Sequence, residues 1–91
     1  MNDTEKQKLI NALKESITIQ MDIEFIFEGK PYYLGPIYGD DKSLAVAWLL
    51  STDNGETAKT INSTDPDEVL RATLTDKPLI DYLNDIEFLY Y

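Results

Sequence analysis

The sequence predicts an α+β fold: an antiparallel three- to four-stranded sheet with an N-terminal helix and two short C-terminal helices, in the order α-β-β-β-(β)-α-α-β. Three observations lead to this prediction. Apolar residues recur with a helical period at the start, alternate with period two over residues 17–27, and give way to helix-start signals near the end. Residues 1–91 are expected to form a single domain around one modest core, without disulfides because the chain has no cysteine.

The first element is predicted to be a helix. Asn2, Asp3 and Thr4 are all suitable N-cap residues, and Glu5 suits a first turn where the helix dipole is positive. A narrow apolar stripe follows at helical spacing, formed by Leu9, Ile10, Leu13 and Ile17. The stripe indicates a helix with one side packed on the rest of the protein.

The period then changes to that of a strand. Every second residue from Ile17 to Phe27 is apolar, and the intervening residues are polar except for Ile26, which predicts a half-buried strand. Glu28-Gly29-Lys30 supplies a turn, and residues 31–34 resume as a second strand, so a β-hairpin is predicted. Gly35-Pro36 is expected to interrupt that second strand as a bulge or bend.

Two further strands are predicted in the middle of the chain. Residues 44–50 form a near-continuous apolar run that includes the only tryptophan, Trp48, and flanking turns favour a central strand over a helix. Asn54-Gly55 is a strong hairpin-turn signal, so residues 57–62 are expected to form a short fourth strand.

The last third of the chain carries two helix-start signals. Asp65 fits an N-cap, Pro66 the first helical position, and Glu68 the back-bonding position of a capping box. Asp76-Lys77-Pro78 is expected to open a third helix, with Leu79, Ile80, Leu83 and Ile86 as its apolar side. Residues 87–91 are interpreted as a terminal strand or a docked tail.

Charge and composition limit the function. There are 17 acidic and 8 basic residues, a net charge of −9, and residues 1–16 sum to zero, so the acid excess lies in residues 17–91. Such a body is expected to repel nucleic acid and anionic membranes and to attract basic surfaces over about 8–10 Å. We therefore expect no direct binding to nucleic acid or membrane. Cytoplasmic localisation is the default, since the N-terminus is polar and no apolar run could span a bilayer.

The chain has few of the side chains that enzymes most often use for catalysis. Without histidine or cysteine, nucleophilic attack and proton transfer near neutral pH lose their commonest side chains. The acidic pairs are better explained as turn formers, caps and solvated helix positions than as catalytic or metal-binding pairs. Asp53-Asn54-Gly55-Glu56 lacks the spacing of a calcium loop. The chain is predicted not to be an enzyme and to need no metal or cofactor; a carboxylate-only enzyme ranks last among the alternatives.

Tyrosine is the second unusual feature, with six residues in a short chain. Tyrosine combines large contact area with a hydrogen-bonding tip and is enriched at interface hot spots. Alternation sends Tyr32 and Tyr33 to opposite faces of their strand. Tyr33, Tyr38 and Tyr91 are the candidates for an interface, against the alternative that most tyrosines fill the edge of a small core.

Parts of the chain resemble a known family. Residues 23–34, Ile-Glu-Phe-Ile-Phe-Glu-Gly-Lys-Pro-Tyr-Tyr-Leu, are similar to a hairpin of small, uncharacterised acidic proteins of Gram-positive bacteria and their phages, written I-E-F-x-Y-x-G-K-x-Y-x-I. Residues 65–72 and 74–83 are similar to the acidic short helix and following segment of those proteins, although Asp76 and Lys77 here are adjacent without an intervening glycine. The resemblance implies an α+β fold and a mobile-element origin, and it implies no activity or functional residue.

The leading hypothesis is a small non-enzymatic acidic inhibitor, similar in action to anti-CRISPR proteins. It would occupy the basic, nucleic-acid-binding surface of a host protein such as a Cas nuclease, because carboxylates compete with phosphates for lysine and arginine. The alternative is a structural or regulatory protein-interaction module that binds another protein or a second copy of itself through tyrosines or a strand edge. The candidate partner-binding residues are Asp22, Glu24, Glu28, Asp40, Asp41, Asp65, Asp67, Glu68, Asp81, Asp85, Tyr33, Tyr38 and Tyr91.

Overall fold

The chain begins with a helix, α1 (Asp3–Thr18), in a computed structural model that describes residues 2–52 and 57–91. The Asn2 side chain caps this helix by accepting a hydrogen bond from the Glu5 backbone N–H at 2.8 Å. The cap satisfies one of the first-turn donors that have no partner inside a helix. Leu13 and Ile17 are buried along one side of α1, so the predicted one-sided helix is confirmed.

The helix ends later than the strand pattern indicated. Ile17 is buried within α1, Ile19 forms its C-cap with 56% of its surface exposed, and Gln20 turns the chain with a φ of 62°. The prediction of a strand over residues 17–22 was therefore wrong. Ile17 fits both periods, because it lies four residues after Leu13 and two before Ile19, but only the strand period would also bury Ile19, which is exposed.

A two-residue turn joins the first two strands, β1 (Ile23–Phe27) and β2 (Lys30–Tyr38). Glu28 and Gly29 both have positive φ, 52° and 75°, the combination that defines a type I′ hairpin turn. The predicted hairpin is confirmed, and β1 shows the predicted alternation of buried and more exposed residues.

The strand β2 continues through Gly35-Pro36, where an interruption was predicted. Pro36 pairs with Trp48 of the next strand, but β1 pairs with β2 only as far as Leu34, so the proline lies beyond β1. Pro31 is in the mirrored position, because it pairs with β1 and the pairing with the third strand begins one residue later. Each proline therefore pairs with only one neighbouring strand, and at such a position the sheet can accommodate the missing N–H of proline. The register shift falls at Ile37/Tyr38 instead.

Two more strands extend the sheet: β3 (Ala45–Thr52) and β4 (Thr57–Ile61). They pair antiparallel, which confirms the prediction of a strand after residue 56. The predicted Asn54-Gly55 turn lies outside the described residues. Trp48 is fully buried in the centre of β3.

The C-terminal part is less helical than predicted. The short helix α2 (Pro66–Leu70) begins as expected, with Asp65 as N-cap and Pro66 in the first turn. The predicted capping box was wrong, since the Asp65 N–H donates to the Ser63 hydroxyl and Glu68 makes no return bond to it. The predicted third helix is a 3-10 helix, Leu79–Asp85, and Ile86 belongs to a final strand, β5 (Ile86–Tyr90).

The five strands form one antiparallel sheet in the order β4-β3-β2-β1-β5. Both α-helices and the 3-10 helix pack on one side, which we call the inner face; the opposite side is the outer face. The buried core lies between the helices and the inner face, and it consists of Leu13, Ile17, Ile23, Phe25, Phe27, Leu34, Trp48, Leu50, Val69, Leu70, Ala72, Leu79 and Leu83. The α+β prediction is confirmed, with five strands in place of three to four.

Among residues 2–52 and 57–91, none of the helices has the length and apolar character needed to cross a bilayer.

Candidate protein-binding surface

The outer face of the sheet is not covered by any helix that the structure describes. The core residues contributed by α1, α2 and the 3-10 helix all pack against inner-face residues such as Phe25 and Leu50. Sheets with one covered face normally present polar residues on the other. Here the outer face combines carboxylates, tyrosines and aliphatic side chains.

Charges in the strands are sorted between the two faces. By register, Glu24 of β1 and Glu87 of β5 lie on the outer face, where Glu87 is opposite Ile26. Lys30 and Lys59 pair with Phe27 and Leu50, two buried residues of the inner face. The outer-face strand positions that the structure describes therefore carry acid without any base.

Tyr33 contacts both an acidic side chain and a glycine at one end of the outer face. Its hydroxyl donates a hydrogen bond of 2.9 Å to the Asp22 carboxylate, and its ring lies across Gly35 on the same strand. A Cβ atom at Gly35 would overlap the Tyr33 ring and hydroxyl. A side chain at position 35 would therefore displace the Tyr33 ring, which now covers the bare backbone of Gly35.

The environment of Tyr33 is strongly anionic. Its pKa is raised from 10.0 to about 12, first by burial, then by the hydrogen bond to Asp22 and the charges of Asp22 and Glu24, with a further contribution from Tyr38. These causes place two carboxylates and a second tyrosine around one ring. Tyr33 still exposes 36% of its surface. The structure thereby brings together four of the candidate residues, Asp22, Glu24, Tyr33 and Tyr38.

Aliphatic residues continue the surface next to this acidic end. Ile26, Ile37 and Leu49 occupy outer-face positions on three adjacent strands, and all three are only partly buried. Ala47 and Ser51 fill the neighbouring β3 positions with small side chains. The result is an apolar centre bordered by carboxylates, the arrangement of core and rim that protein interfaces show.

Two outer-face residues were missed by the sequence analysis. Tyr90 lies opposite Glu24 in the register of β1 and β5 and exposes 48% of its surface. Glu87 alternates with Ile86 and Phe88, which is a strand signal visible in the sequence. The pairing of β5 with β1, which brings both residues beside Glu24, needs the tertiary structure.

The turn between β2 and β3 lies at the same end of the sheet as Asp22. The Gln20 amide donates to the Ser43 carbonyl at 2.9 Å and accepts from the Ala45 N–H, which ties this turn to the end of α1. Asp41 has a structural role in the turn, since its carboxylate accepts bonds from the Ser43 hydroxyl and N–H, and these bonds lower its pKa. Asp40 is exposed beside it.

The remaining candidate residues lie elsewhere. Asp65, Asp67 and Glu68 belong to the start of α2 in the helical layer, and Asp67 pairs with Lys14 of α1 at 2.7 Å. That hydrogen bond and charge lower the pKa of Asp67. These three acids are therefore separated from the outer face by the core and do not share a surface with Asp22.

The acids near the other end of the sheet are also separate. Glu28 lies in the β1–β2 turn, and Asp81 and Asp85 lie on the 3-10 helix that leads into β5 at Ile86, opposite Phe27. Tyr91 packs edge-on against Phe88, whose register partner is the inner-face residue Phe25. Within residues 2–52 and 57–91, no three acidic side chains cluster closely enough to hold a metal ion.

Comparisons with protein-family models, with curated proteins and with solved structures found no match for this chain.

Proposed function

We propose that this protein is a non-enzymatic binding protein whose outer face occupies a basic, nucleic-acid-binding surface of a host protein. The observation that carries the proposal is the sorting of charge between the two faces of the sheet. Glu24 and Glu87 lie on the outer face with Asp22 at its end, while Lys30 and Lys59 lie on the inner face. A basic partner approaching the outer face would meet carboxylates without a competing lysine among the described strand residues.

The aliphatic centre adds to the electrostatic attraction. Burial of Ile26, Ile37 and Leu49 in a contact would contribute affinity that salt does not screen, while the carboxylates steer the approach. Tyr33, Tyr38 and Tyr90 add aromatic area of the kind found at interface hot spots. The proposal includes cytoplasmic action and a mobile-element origin, in line with the hairpin resemblance.

Competition with nucleic acid is the decisive experiment. The immobilised protein is incubated with nuclease-treated Gram-positive lysate, and retained proteins are challenged with duplex DNA, with RNA and with rising salt. We expect the specific partner to be a nucleic-acid-binding protein, such as a Cas effector, that DNA or RNA releases. Retention of a partner that neither nucleic acid nor salt displaces would contradict charge mimicry.

Exposed residues at one sheet edge favour a second candidate, a homodimer. The edge strand β5 exposes Leu89 and Tyr90, and Tyr91 follows it. Edge strands offer unpaired backbone groups that a second copy can extend. Light scattering on a sizing column measures this directly: a mass twice 10.4 kDa supports the dimer, and the monomer mass at high concentration contradicts it.

A further inference from the structure

We infer that a small cleft on the inner side of the sheet binds an organic anion consisting of one phosphate or carboxylate group and a short apolar body. The cleft has a volume of about 210 Å³. It is lined by two of the eight basic residues, Lys30 and Lys59, together with Tyr32, Thr52, Thr73, Leu50 and Leu74. This inference is independent of the proposed function.

Lys30 and Lys59 are the basic residues among the described strand positions of the inner face. Both are exposed and lie by register on the inner face beside the apolar core, and neither has a carboxylate partner within residues 2–52 and 57–91. Lys59 uses one donor on the Thr73 carbonyl at 2.8 Å, which holds its ammonium group at the wall of the cleft. A lysine ammonium has three donors, so two remain for a ligand.

The wall opposite the strands is well defined. The Leu79 N–H donates to the Ala72 carbonyl at 2.8 Å, and the Leu74 N–H donates to the Lys77 carbonyl at 3.0 Å, so residues 72–79 form a closed turn. This turn presents Thr73 and Leu74 to the cleft. The site therefore combines polar and apolar residues on a backbone that its own hydrogen bonds hold in place, as small-molecule sites do.

The size and chemistry of the cleft define the ligand class. A cleft of about 210 Å³ suits a small molecule better than a peptide or a nucleic acid strand. The described lining contains two ammonium groups and no carboxylate, so the ligand is anionic. Leu50 and Leu74 select a ligand that also carries apolar atoms.

The test uses phenyl phosphate as probe and phenol as its neutral counterpart, at 0.15 M salt, followed by two-dimensional ¹H–¹⁵N NMR. We expect saturable shifts for phenyl phosphate at Thr52, Lys59, Thr73 and Leu74, and much weaker binding of phenol. Lys30→Gln should weaken phenyl phosphate binding at least tenfold. Lys42→Gln, which removes the same charge from the exposed β2–β3 turn, should change it less than twofold.

Three results would overturn the inference: shifts that do not saturate, phenol binding as tightly as phenyl phosphate, or equal weakening by Lys30→Gln and Lys42→Gln. Lys59→Gln provides a second variant, since Lys59 lines the cleft independently of Lys30. A spectrum of each variant without ligand establishes that the fold is retained. Unchanged binding by both well-folded cleft variants would also exclude the site.

Discussion

The two faces of the sheet differ in what covers them and in the charge beside their apolar residues. The inner face contributes Phe25, Leu34, Trp48 and Leu50 to a core that α1, α2 and the 3-10 helix cover. The outer face carries Ile26, Ile37 and Leu49, which no helix of the described residues covers, and acids lie beside them. The difference shows that apolar side chains alone do not define the core, because the core lies on the face that the helices cover.

The largest expected effect on folding comes from a matched pair in β3. Leu50 is 4% exposed on the inner face, and its neighbour Leu49 is partly exposed on the outer face. We expect Leu50→Ala to lower the free energy of unfolding by about 2–5 kcal/mol, because it leaves a cavity in the core. Leu49→Ala should cost about 1 kcal/mol or less. Urea unfolding measures both, and equal losses would mean that the outer face is covered.

A smaller effect is expected where Tyr33 covers Gly35. Gly35→Ala places a methyl group where the Tyr33 ring lies, so the ring must move and lose its hydrogen bond to Asp22, at a cost of about 1 kcal/mol. In a Tyr33→Ala background the same substitution should cost much less, since the clashing ring is gone. A double-mutant cycle by urea unfolding gives the coupling. Additive losses would show that Tyr33 does not lie over Gly35.

The acidic end of the outer face should be visible in a tyrosine titration. Since the folded pKa of Tyr33, about 12, lies above its ordinary value of 10.0, the folded state favours the protonated phenol. That contribution to stability is complete below pH 10 and is lost as the pH rises toward 12.

Tyrosinate absorbance identifies this group by comparison with Tyr33→Phe. Asp22→Asn should lower the pKa of Tyr33 only in part, because burial is the largest cause and stays in place. An unchanged titration curve in Asp22→Asn would contradict the hydrogen bond between the two side chains.

The smallest effect on folding is expected from reversing the outer-face charges. Glu24 and Glu87 are exposed and make no side-chain hydrogen bond or ion pair in the described part of the chain. Glu24→Lys with Glu87→Lys should therefore change the free energy of unfolding by about 0.5 kcal/mol or less. Thermal unfolding provides the check. A large loss would mean that these acids stabilise the fold and are not reserved for a partner.

Much of the architecture followed from local patterns. The alternation in β1, the turn residues Glu28-Gly29, and the Asp65-Pro66 helix start all act over a few residues, so the sequence predicted them. The end of α1 was missed because Ile17 satisfies two periods at once, and the exposure of Ile19, which decides between them, is visible only in the structure.

The candidate surface was predicted only in part. The sequence indicated Asp22, Glu24, Tyr33 and Tyr38, which lie close in the β1–β2 hairpin. Tyr90, Glu87, Ile37 and Leu49 join them through pairings of β1 with β5 and of β2 with β3, which depend on distant parts of the chain. Net charge gave no information on position, so the acids of α2 and the 3-10 helix were included although they lie away from the outer face.

The most direct test of the account compares two charge reversals of equal size in a binding measurement. Glu24→Lys/Glu87→Lys changes the outer face, and Glu15→Lys/Glu68→Lys changes α1 and α2. Quantitative mass spectrometry of proteins captured from Gram-positive lysate should show the DNA-displaceable partner lost with the first variant and retained with the second. Retention by the first variant and loss with the second would place the binding surface on the helical layer and contradict the account.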